Sequence, residues 1–160
     1  MTPNDTPISQ ISTGVEGLDE LLKGGYIQNR MYLVTGEPGT AKTTLAMHFL
    51  QEGLANDETV LYIHGEESAE ELKINAGQFG IDITAVEFLD LGPDSKFFTE
   101  DSSFDLVDSS DIDQERYTEV IHEAIEEIDP ERVVIDPITQ LRYLETSDYH
   151  YRKRILSFIR

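Results

Sequence analysis

Along the chain, short apolar runs alternate with stretches whose apolar residues recur every three or four positions. The run 31-MYLVT-35 predicts a short buried strand. From Thr43 to about Leu54, the residues Leu45, Ala46, Phe49 and Leu50 share one face of a predicted helix. A second strand, 59-TVLYI-63, follows. Ser68 and Glu71 spell the S-x-x-E capping box that opens a helix. Leu72, Ala76 and Phe79 are expected on its inner face, and Gly80 is its stop. The run 86-VEFLDL-91 predicts a third strand. Between Asp113 and Ile128 an amphipathic helix turns Val120, Ile121, Ala124, Ile125 and Ile128 inward, and Pro130 follows its end. A fourth strand is 132-RVVID-136, and a last helix covers about 148–160. Upstream, 11-ISTGVEGLDELLKGG-25 places Leu18, Leu21 and Leu22 at helical spacing and stops at Gly24-Gly25. Strands alternating with helices imply an α/β fold, a parallel sheet with helices on both faces.

Residues 1–10 are polar and read as a loose arm, which leaves 11–160 as one domain. Residues 92–112, rich in Asp, Ser and Gly, read as a loop with a solvated acidic surface. Twelve basic residues stand against 32 acidic ones, a net charge of −20. Such a surface disfavours nucleic acid and anionic membrane. We read it as adaptation to high intracellular salt, where screening shortens the self-repulsion. The chain has no cysteine, which excludes disulfides and thiolate metal sites. It shows no basic-then-apolar leader and no run approaching the ~20 apolar residues that span a bilayer. The expected location is the cytoplasm. His48, His64, His122 and His150 are scattered and read as surface or packing residues. Tyr143, Tyr149 and Tyr151 read as packing.

The chemistry concentrates in 36-GEPGTAKTT-44. It follows the phosphate-binding pattern G-x-x-x-x-G-K-[ST] except at Ala41. In such a loop the chain leaves a strand, wraps a phosphate in backbone N–H groups and enters a helix at its positive end. Gly36, Glu37, Pro38, Gly39, Thr40, Ala41, Lys42, Thr43 and Thr44 are therefore the candidate nucleotide-binding residues. Lys42 is expected on the β- and γ-phosphates, and the Thr43 hydroxyl on Mg²⁺. Position 41 turns into the helix, where a negative φ would accommodate alanine. A second element, 133-VVID-136, has the Walker B form, with Asp136 organising the Mg²⁺ shell. The third is 64-HGEESAEE-71. Glu66 and Glu67 stand at a strand's C-terminal end, where a carboxylate can polarise an attacking water. Equally, both can decorate the start of the next helix, where negative charge is favourable. Two adjacent residues cannot both face one water, so one of them is structural.

Taken together, 11-ISTGVEGLDELLKGG-25, 36-GEPGTAKTT-44, Glu66-Glu67 and 132-RVVIDPITQLR-142 resemble the KaiC-like branch of the RecA/RadA superfamily over nearly the whole chain. The resemblance implies a P-loop NTPase with a RecA-like sheet, ATP and Mg²⁺ as ligands, and homo-oligomeric rings with ATP between subunits. It also implies that Glu66 and Glu67 are the catalytic carboxylates, one the base and the other its support. Ala41 and Asn29 depart from the family, which has glycine at both places. More strands are expected beyond Arg160, one of them between the P-loop strand and the Walker B strand, so the domain reads as C-terminally incomplete. Three functions compete. One is a regulatory or signalling ATPase with slow hydrolysis. Another is a recombination ATPase of RadA type, which needs basic DNA-binding loops, although the chain's only basic run is 152-RKR-154. The last is a nucleotide-binding fragment without catalysis.

Overall fold

The computed structural model describes residues 9–92, 95 and 110–139, with side chains from 118 onward in the last span. Nine elements follow in order: β1 (Gln10–Ile11), α1 (Glu16–Leu21), β2 (Tyr26–Ile27), α2 (Lys42–Ala55), β3 (Val60–His64), α3 (Ala69–Gln78), β4 (Glu87–Asp90), α4 (Ser110–Ile128) and β5 (Arg132–Asp136). The expected helix at 148–160 and nearly all of the acidic loop lie outside the described residues.

The main sheet has the order β4-β3-β5, all parallel. Its central strand β3 is buried at every position, as a strand covered on both faces must be. Side chains alternate across it. Val60 and Tyr62 join Met47 and Leu50 of α2 and Leu72 and Ala76 of α3 in one core. Leu61 and Ile63 join Leu91 and Ile121 of α4 in the other. Helices thus cover both faces, and the α/β fold expected from the alternation of patterns is the one observed. The capping box at α3 is complete: Glu71 N donates to Ser68 Oγ at 3.2 Å, and Ser68 N to Glu71 Oε2 at 2.9 Å.

Three local expectations need correction. Residues 31–35 belong to no strand ladder among the described residues, and Met31, Tyr32, Leu33 and Val34 are 37–61% exposed. An apolar run becomes a buried strand only where a neighbour accepts its hydrogen bonds and covers its faces. The segment is held instead by Tyr32, which stacks on Tyr26 at 4.2 Å and accepts a hydrogen bond from Ile27 N. On α2 the buried positions are Met47, Leu50 and Gly53, with Phe49 only partly covered. Phe79, expected inward, follows the last turn of α3 and is exposed. Leu21 and Leu22 are exposed as well, so α1 contributes no buried residue.

What holds the amino-terminal segment is polar. The Asp19 carboxylate accepts from Ser12 Oγ (2.6 Å), Thr13 N (2.8 Å) and Thr13 Oγ1 (2.6 Å). Partial burial pushes its pKa up, but these hydrogen bonds outweigh it and hold the carboxyl below its ordinary value. Gly14 has φ +78°, and a Cβ there would strike the His48 carbonyl of α2. Arg132, 3% exposed, ties the parts together. It pairs with Glu58, and its Nη1 donates to the carbonyls of Ser12 (2.8 Å) and Phe49 (2.9 Å). Gly53 makes room for it, because a Cβ there would lie 2.9 Å from the Arg132 side chain.

Candidate functional site

The loop 36–41 leads directly into α2. Thr40 closes it, its N and Oγ1 both donating to the Glu37 carbonyl, at 3.3 and 2.8 Å. Gly39 has φ +79°. Ala41 does not take the negative φ that alanine prefers. It lies in the left-handed region, at φ 64° and ψ 27°, as the residue before the first helical turn. The loop therefore keeps a glycine-type backbone at this position, and the methyl group sits in a conformation that costs an L-residue roughly 1–2 kcal/mol.

α2 presents its N-terminus at this point, and its first turn carries no acidic residue. The helix's own first turn therefore brings no negative charge to the positive end of its dipole, the end that favours an anion. Lys42 Nζ donates to the carbonyls of Gly36 and Glu37, each at 3.0 Å, so the lysine folds over the loop it belongs to.

The sheet brings the second element alongside. β3 and β5 pair so that His64 lies opposite Asp136, and β3 and β4 so that His64 lies opposite Asp90. This row ends the three parallel strands, the edge where open α/β sheets bind ligands. From it, Asp136 Oδ2 accepts from Thr43 Oγ1 at 2.7 Å, across 93 residues of sequence. Tyr62 OH donates to the same oxygen at 2.9 Å. Burial, reinforced by the Asp136 charge and hydrogen bond, pushes the Tyr62 phenol far above its ordinary pKa and keeps it a donor. A hydroxyl and a carboxylate are hard oxygen ligands, and Mg²⁺ is held by one or two such groups together with substrate phosphates. Thr43 and Asp136 fit that requirement. Among the described residues, no group of three or more His, Cys, Asp or Glu residues is placed to hold a metal alone.

The two adjacent carboxylates differ in their surroundings. Glu67 Oε2 accepts from Asn75 Nδ2 of α3 at 2.7 Å, and the Glu67 carbonyl meets His64 Nδ1 at 2.8 Å. Glu66 is exposed and makes no hydrogen bond among the described residues. The structure thus brings Asp136 of β5 to Thr43 at the start of α2 and separates Glu66, without a hydrogen bond among the described residues, from Glu67, tethered to Asn75. Sequence reasoning missed Tyr62, Asn75 and His64 here. A tyrosine inside an otherwise aliphatic strand was a usable signal, since a buried phenol needs a partner. Asn75 offered none.

Among the described residues, no helix is long and apolar enough to cross a membrane. In comparison with known proteins, the model of the family described as "ATPase: KaiC" matches residues 11–160. A UPF0273 protein of Pyrococcus horikoshii is 33% identical over 139 residues, 82% of this chain and 56% of its own length. The circadian clock oscillator protein KaiC of Prochlorococcus marinus is 34% identical over 159 residues, 95% of this chain and 30% of its own. KaiC 1 of Synechocystis is 33% identical over 133 residues, 83% of this chain and 24% of its own. The chain therefore spans about half the length of the UPF0273 relatives and a smaller share of the clock proteins.

Proposed function

Because the chain belongs to the KaiC ATPase family, we propose that it binds magnesium–ATP on the loop 36–44 and hydrolyses it slowly, as a regulatory or signalling ATPase. The observation that carries this reading is the 2.7 Å hydrogen bond between Thr43 and Asp136. It joins the hydroxyl of the first turn of α2 to the strand-end carboxylate of Asp136.

The geometry supports the following roles. Backbone N–H groups of 36–44 and the α2 terminus hold the phosphates. Lys42 exchanges the loop carbonyls for the β- and γ-phosphates. Thr43 and Asp136 hold Mg²⁺, which neutralises phosphate charge when bound. Glu66, the free carboxylate, orients water and takes its proton, while Glu67 is the support anchored on Asn75. Turnover stays slow without a basic residue from a neighbouring subunit. Exposed Met31, Tyr32, Leu33 and Val34 beside the loop support assembly into a homo-oligomer. The charge of −20 supports a cytoplasm of high salt and disfavours nucleic acid.

Calorimetric titration with magnesium–ATP in molar KCl tests the binding. Lys42→Ala abolishes the heat. Glu66→Gln combined with Glu67→Gln leaves binding and removes phosphate release, with Glu66→Gln alone accounting for most of the loss. Undiminished turnover in the double variant removes the assigned base, and absence of binding at millimolar ligand overturns the reading itself.

A further inference from the structure

His64 ends β3, one residue before the buried Gly65 and two before Glu66. It is 3% exposed. Its Nδ1 lies 2.8 Å from the Glu67 carbonyl oxygen. A carbonyl only accepts, so Nδ1 carries a proton. Among the described residues, the carboxylate within 4 Å of that nitrogen is Asp90, whose Oδ1 is 3.9 Å away, beyond hydrogen-bond reach, and already accepts from Gly92 N at 2.7 Å. Nε2 is buried and has no hydrogen-bond partner among the described residues. The ring packs against Phe88 at 5.7 Å and Tyr62 at 6.4 Å.

Half of this imidazole is thus spent on one bond to the main chain, and the other half has no hydrogen-bond partner among the described residues, which is a cost for a buried polar group. An apolar side chain would fill the same space without that cost. We infer that His64 is a positioning residue: its Nδ1–H clamps the Glu67 carbonyl and fixes the turn that presents the Glu66 carboxylate. Asn75 holds the Glu67 side chain and Ser68 caps α3, so His64 supplies the main-chain tie of a turn anchored on three sides. Glu66 then rides on a rigid base while its own carboxylate stays unencumbered, which is what a water-orienting group requires. The catalytic consequence rests on the ATPase reading above. The clamp itself rests on geometry alone.

The test uses the full-length protein and three variants. Asparagine places an amide N–H where Nδ1 sits, glutamine places one where Nε2 sits, and leucine places none. His64→Leu and His64→Gln are expected to lower kcat on the order of 10- to 100-fold, with KM for magnesium–ATP within about twofold of the parent. His64→Asn recovers most of the rate. Nitrogen-15 spectra of the imidazole in the unsubstituted protein show the Nδ1-protonated tautomer, and relaxation of the 65–68 amides shows more motion in the leucine variant than in the asparagine one. Equal rates in the asparagine and glutamine variants, or an Nε2-protonated ring, overturn the inference. Should the parent show no turnover, the ATPase reading fails by itself, and tautomer and amide order still decide the clamp. Should the variants not fold, the tautomer in the parent decides it.

Discussion

Replacing Ala41 with glycine tests the loop geometry most directly. Ala41 holds φ 64° and ψ 27°, a left-handed conformation that costs an L-residue roughly 1–2 kcal/mol and glycine almost nothing. The substitution removes that cost from the folded state. It also loosens the unfolded chain, which opposes folding by about 0.4–1 kcal/mol. The balance is a gain of about 0.5–1 kcal/mol. Position 41 is also the N-cap of α2, where alanine is among the poorest residues and glycine is well tolerated, so the cap term has the same sign. For a domain of this size the gain corresponds to a rise in Tm of about 1–4 °C. Urea denaturation and thermal melts of the two proteins side by side measure it. Gly39→Ala is the mirror experiment. Gly39 has φ +79° and open space around an added Cβ, so backbone strain of roughly 1–2 kcal/mol is introduced, partly offset by the stiffer unfolded chain, and stability falls by about 0.5–1 kcal/mol. An Ala41→Gly protein that melts at or below the parent would mean that the residue lies at negative φ, and the strain argument fails. Because glycine keeps the same left-handed backbone without strain, magnesium–ATP should bind the glycine variant at least as tightly.

Three further outcomes follow from other parts of the molecule. Arg132→Met leaves Glu58 without its counter-charge and the Ser12 and Phe49 carbonyls without their donor. Breaking such a pair costs 3–5 kcal/mol when both charges are buried, and Glu58 is 24% exposed, so urea unfolding should show a loss near ~3 kcal/mol; a loss under ~1 would mean the pair is solvated. Tyr62→Phe removes one of two donors to Asp136 Oδ2; stability falls by about 1 kcal/mol, and half-maximal turnover needs more Mg²⁺ while KM for ATP holds. An unchanged Mg²⁺ titration would leave the phenol a packing group only. Asp19 has a folded pKa held below its ordinary value by Ser12 and Thr13 against the opposing effect of partial burial. Its stabilisation is complete above the unfolded pKa of about 3.9 and drains as pH falls through the depressed folded value. Asp19→Asn should therefore flatten stability against pH in that acid range, and a parent-like acid slope in the variant would assign the effect elsewhere.

The elements whose identity was legible in advance are those set by neighbours in the chain. The capping box at Ser68 and Glu71 joins residues three apart, and local spacing is enough to read it. The unbroken apolar run in 59-TVLYI-63 reports two covered faces, because successive side chains of a strand must point opposite ways. The loop 36–44 was recognisable for the same reason: a strand-like run, a glycine-rich turn and a helix follow one another without interruption. Asp136 could be placed at a strand end from four residues. The family follows from these local patterns, and so does the fold class.

Partners and conformations fixed by distant groups were not legible. Whether 31-MYLVT-35 forms a ladder depends on a neighbouring strand, not on its own hydropathy. Arg132 looked like the polar first residue of a strand, yet it is buried because Ser12, Phe49 and Glu58, each more than seventy residues away, converge on it. Glu66 and Glu67 are equivalent in sequence and became distinct only when α3 brought Asn75 to one of them. The sign of φ at Ala41 was decided by the path the loop takes into α2, against the preference of the alanine itself. Sequence alone thus determined which chemistry is present and on which elements it rides. The tertiary structure decided which groups are free to perform it, because hydrogen bonds and burial are settled by packing between segments that the order of residues does not place side by side.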